Sequence, residues 1–119
     1  MLSLTPAYDI CPQPRTGNIA TQAMLILGNN NKSQIVTCLD AAGIFLLSRQ
    51  QALALIEQLI ISISKNWNAV CDISEVTPID RRLFSNRQFF NPYAFENLEK
   101  EGKKLIELVR DFKEGGHLD

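Results

Sequence analysis

Apolar residues at Leu53, Ile56, Ile60, Ile63, Trp67 and Val70 recur at steps of three and four, the period of one face of an α-helix. Ser48, with Gln51 three residues later, forms a capping-box signature just ahead of this run, so the pattern predicts a long central helix with a defined start. Leu55 and Leu59 make a second row beside the seam, and Ile61 adds a further apolar position. A stripe that broad predicts a helix lying inside the fold and serving as its folding core.

The flanks read differently. Pro6, Pro12, Pro14, Gly17 and Asn18 break the backbone before Thr21 to Leu27, an apolar run of strand length whose two apolar faces imply burial. Gly28 and the asparagines 29 to 31 form a turn, and Ser33 is placed to cap a short helix through Ile35, Val36, Leu39 and Ala42 that Gly43 stops. Thr77-Pro78-Ile79-Asp80 puts a capping hydroxyl before a first-turn proline and an acid, the chemistry of a helix start, with Arg81 and Arg82 following. Asn91-Pro92 makes a second such start, leading through Phe95, Leu98, Leu105, Val109 and Phe112 to Gly115-Gly116, with Gly102 within the stepping. Glu96 with Lys100, and Glu99 with Lys103, stand four apart in the order that supports a solvated helix face. The expected fold is mainly α with a short β element near the N-terminus. One domain spans 1–119, with loop and short strands over 1–32, helices over 33–114 and a tail over 115–119.

Composition narrows the functional classes. A chain of 119 residues, 45% hydrophobic and 21% charged, has material for one core and not for two. A net charge of −1 gives no general attraction to nucleic acid or anionic membranes. Cys11, Cys38 and Cys71 are widely spaced and contain no C-x-x-C pair, which argues against a disulfide framework or zinc site and fits a reducing, cytoplasmic setting. No basic-then-apolar leader opens the chain. The greasiest stretch, Leu53 to Ile63, is interrupted by Glu57 and Gln58 and is too short to span a bilayer.

Few side chains suggest chemistry by themselves. Asp9 sits where a short extended run breaks into a proline-punctuated loop, where an aspartate ordinarily caps a turn. Gly28 to Ser33 lacks the glycine before lysine that a phosphate loop needs and reads as a solvated turn; the Asn31-Lys32-Ser33 glycosylation pattern is irrelevant in the cytosol. His117 has no partner in sequence, Trp67 reads as core, and Cys71 reads as a small buried side chain without an activating cation. Arg81, Arg82 and Arg87 read as solvated, with a basic edge toward a partner as the other reading.

Three pieces taken in order say more. Leu4-Thr-Pro-Ala-Tyr-Asp-Ile, Gln22-Ala-Met-Leu-Ile-Leu-Gly and Arg87-Gln-Phe-Phe-Asn-Pro-Tyr-Ala-Phe resemble the C-terminal part of HipA-like serine/threonine kinase toxins, over Ser3 to about Phe95. The resemblance implies a helical kinase C-lobe-like segment of an enzyme that transfers phosphate from ATP to serine. The best-known members act on an aminoacyl-tRNA synthetase and are restrained by a DNA-binding HipB-type antitoxin. In that family the aspartate of the Tyr-Asp-Ile/Val step binds magnesium, which carries across to Asp9. A phosphotransfer site also needs a loop over the phosphates, a lysine, a hydroxyl-orienting aspartate and a metal-binding asparagine, none of which can be placed in these residues. The expectation is thus a truncated segment, inactive alone, that needs a polypeptide carrying the missing kinase lobe and presents an apolar face where that lobe packs. The alternative is a non-catalytic helical interaction or regulatory module of a toxin–antitoxin system that docks on it or self-associates.

Overall fold

A computed structural model of the chain describes residues 3, 6, 19–22, 24–98 and 100–114. Four α-helices appear among them: α1 (Ile35–Ala41), α2 (Arg49–Ile73), α3 (Pro78–Phe84) and α4 (Lys103–Glu114). The described residues form no sheet. The expected strand over 21–27 is reduced to two isolated antiparallel bridges, Thr21 with Lys32 and Leu27 with Asn30. Gly28 at φ +53° makes the tight reversal between them, a conformation glycine adopts at no steric cost. The run is not buried as a whole: Met24 and Leu25 are exposed, while Ile26 and Leu27 are half-buried.

α2 begins where the sequence indicates. The Ser48 hydroxyl accepts from the Gln51 amide at 3.1 Å, and the Gln51 side chain accepts from the Ser48 amide at 2.9 Å, a reciprocal cap that stabilises a helix by about 1 kcal/mol. α3 also starts as expected, with the Thr77 hydroxyl accepting from the Asp80 amide at 3.2 Å and Pro78 in the first turn. The start of α1 differs, because its cap residue is Gln34, in extended conformation, and the Ser33 amide is bonded back to the Ala20 carbonyl at 3.0 Å. Gly43 does not stop that segment either. It lies inside a 3-10 turn, Ala42–Phe45, which ends at Leu46 with φ 60°.

The helix expected from Asn91 onward is broken into three. Asn91 caps a 3-10 turn (Pro92–Phe95) through its Oδ1, which accepts from the Tyr93 amide at 2.9 Å. Asn97 then takes φ 64°, a left-handed conformation its short polar side chain tolerates, and stops the helix from continuing. A second 3-10 turn, Lys100–Gly102, leads into α4. Glu96 and Lys100 therefore do not share a helix, and Glu99 lies outside the described residues. α4 instead pairs across the fold, Lys104 with Glu57 of α2 at 2.9 Å.

Two apolar clusters hold these elements. In the larger, Ile60, Trp67 and Cys71 of α2 meet Leu105, Val109 and Phe112 of α4 and Phe90 of the connecting turn. Its rings cross edge to face, Trp67 with Phe112 at 6.3 Å and Phe90 with Phe112 at 5.4 Å, each contact contributing about 0.5–1.5 kcal/mol beyond burial. The smaller joins Leu39 and Ala42 to Ala52, with Ile35, Leu53 and Ile56 packed against both clusters. α2 does not lie wholly inside: Leu55, Leu59, Ile61 and Val70 are exposed, since α1 and α4 cover only one side of it.

Candidate functional site

The segment from Ser85 to Phe95 organises the site region. After α3 the chain makes a π-helical turn (Ser85–Phe89), a widened turn that often accompanies function, and then the Asn91-capped 3-10 turn. Ser85 and Asn91 are buried there and bonded to backbone, Ser85 to the Arg82 carbonyl at 3.0 Å and Asn91 to the Arg87 carbonyl at 3.2 Å. Gln34, buried before α1, donates to the Tyr93 carbonyl at 3.2 Å and ties α1 to this turn.

Between this turn and α4 lies a cleft of about 370 Å³, within the range of small-ligand sites. Buried Phe90 and Val109 form its floor, Pro92, Phe95 and Ile106 its walls, and Glu96, Arg110, Lys113 and Glu114 its rim. Lys113 Nζ donates to the Phe90 carbonyl at 2.9 Å, and its partial burial lowers its pKa from the ordinary lysine value. The cleft has room for an apolar group inside a rim of two acidic and two basic side chains.

The residues singled out by sequence are scattered. Asp9, Cys11 and His117 lie outside the described residues. Trp67 is core, as read, though its indole Nε1 has no partner among the described residues. Cys71 is buried and its thiol pKa is raised by burial, with nearby Arg81 pulling it down and Asp72 pushing it up. A cation is therefore close to Cys71 after all, but burial outweighs it and the thiol stays protonated. Arg81 is not simply solvated: it donates to Asp72 at 2.6 Å and to the Val76 carbonyl at 2.9 Å, pinning the α2–α3 corner. Arg82 and Arg87 are exposed. Residues 28–32 form a turn, as read, with the Lys32 amide bonded to Asn30 Oδ1 at 2.9 Å and the Asn31 side chain bonded to the Gln22 carbonyl at 2.7 Å.

Sequence reasoning missed Gln34 and Lys113. Gln34 gave a weak signal, an amide just ahead of an apolar run. Lys113 gave none, because its partner Phe90 is 23 positions away. Among the described residues no group of three or more His, Cys, Asp or Glu could hold a metal ion, and no helix is long and apolar enough to cross a membrane. Comparison with known protein families, curated proteins and solved structures finds no match to this chain.

Proposed function

We propose that the chain is the C-terminal segment of a HipA-like serine/threonine kinase, in which Asp9 is a magnesium ligand of a nucleotide site completed from outside these 119 residues. The observation that carries this reading is the ordered set of three sequence pieces resembling that family. The third piece lends support through its work in the fold. Phe90 fills the larger cluster, Asn91 caps a turn and the Tyr93 carbonyl holds α1, so its identity is tied to a specific backbone path. Asp9 does not suffice for the chemistry: magnesium keeps several waters and takes one or two carboxylates together with substrate phosphates. Nucleotide, the phosphate-gripping lysine and the hydroxyl-orienting aspartate must come with the completing lobe.

A second reading, a non-catalytic helical interaction module of a toxin–antitoxin assembly, draws support from the apolar side chains that α2 leaves exposed. One experiment separates the two. The chain is mixed with a polypeptide carrying a HipA-like nucleotide lobe, magnesium and ATP, and phosphate transfer to serine is measured. Transfer by the mixture alone, lost with Asp9→Ala, is the result expected. Undiminished transfer with Asp9→Ala removes that residue from the mechanism, and binding without transfer favours the second reading.

A further inference from the structure

Four apolar side chains on one face of α2 stand clear of both clusters: Leu55 is 46% exposed, Leu59 62%, Val70 55% and Ile73 83%. Together with exposed Ser62 and Asn66 they form one row, stepping by four, three, four, four and three along about 27 Å of helix. No charged residue falls within the row, and its near flank carries Gln51, Gln58 and Ala69. The charges of α2 are used elsewhere, Arg49 with Asp40 and Glu101, Glu57 with Lys104 and Asp72 with Arg81, while Lys65 stands at the rim. An apolar row free of charge with polar residues at its edge has the composition of an interface centre.

The order along the row identifies the partner. It reads apolar, apolar, polar, polar, apolar, apolar, and it is nearly symmetric about Ser64. Leu55 and Ile73 lie nine residues either side of Ser64, Ser62 and Asn66 two either side, and Leu59 and Val70 five and six away. Any row matches itself when two copies run parallel. Only a palindromic row matches itself when one copy is reversed, and reversal also opposes the two helix dipoles favourably.

We propose that this face of α2 is a self-association surface on which a second copy of the chain pairs antiparallel across a two-fold axis that passes between Ser62 and Asn66, at the height of Ser64 along the helix. The axis sets Leu55 against Ile73 of the partner subunit and Leu59 against Val70 of the partner subunit, each contact occurring twice, as an isologous interface requires. Asn66 Nδ2 donates to the Ser62 carbonyl of its own helix at 2.8 Å, which holds the amide along the row. Its Oδ1 is left to accept from the hydroxyl of Ser62 of the partner subunit. A polar pair in the middle of an apolar seam fixes the register, because any slip buries it against an apolar side chain. The inference rests on α2 alone and stands or falls independently of the kinase reading.

Sedimentation of the full chain tests it, through charges placed at two facing positions. The wild type is expected to dimerise in the micromolar range. Leu59→Lys and Val70→Glu are each expected to weaken dimerisation by at least about tenfold, since each puts two like charges into an apolar seam with no partner. The double variant Leu59→Lys/Val70→Glu is expected to regain dimerisation, because the antiparallel register faces each lysine with a glutamate. Both positions are solvent-exposed, and an unchanged far-UV spectrum verifies that the helices persist. A wild type that stays monomeric throughout that range overturns the proposal. Single variants that dimerise as tightly as the wild type, or a double variant weaker than either single, overturn it as well.

Discussion

Two rows of the same helix have opposite fates. Ile60, Trp67 and Cys71 are buried against α4 and the turn at Phe90, while Leu55, Leu59, Val70 and Ile73, less than half a turn away, face solvent. Both rows are apolar at helical spacing, so amphipathic pattern does not decide between them. What decides is cover: α4 and α1 pack on one side of α2, and among the described residues nothing packs on the other.

The contrast is sharpest in the effect of truncation. Trp67→Ala removes a side chain that is 6% exposed and touches the rings of Phe89 and Phe112, and should cost about 3–5 kcal/mol. Leu59→Ala, in protein dilute enough to stay monomeric, should change stability by no more than about 0.5 kcal/mol. Urea unfolding of both variants measures this, and equal costs would mean that the second row is covered after all. A smaller effect is expected where α4 begins. A Cβ on buried Gly102 would meet Leu98 Cβ at 2.8 Å, so Gly102→Ala should cost about 1–3 kcal/mol in the same measurement, against a gain if the site were an open helix position. A gain in stability is expected just ahead of α2. Leu46 is 93% exposed and held at φ 60°, so Leu46→Gly relieves backbone strain and should raise stability by up to about 1 kcal/mol, read as a higher melting temperature.

Local chemistry was legible in the sequence, and cover was not. The Ser48–Gln51 cap and the Thr77-Pro78 start depend on neighbours within four positions, and both helices begin there. The long helix expected from Asn91 is broken by local backbone geometry that apolar spacing does not report. Asn97 turns left-handed, and Gly102 lies tight against Leu98. The Leu55 row was assigned to the interior because spacing reports that a face is apolar, not that anything lies over it. The cleft at Lys113 was invisible for a related reason: its lining comes from two stretches joined only by the fold. Asp9, the one residue proposed for catalysis, is singled out by family resemblance alone and lies outside the described residues.

The Gln34–Tyr93 contact has a kinetic consequence. It joins residues 59 positions apart, so forming it closes a long loop for the return of one hydrogen bond and a few contacts. The seven-residue α1 is too short to persist by itself. The first helix thus resembles a latch, expected to hold its shape only where α2 and the Tyr93 turn are already in place to receive it.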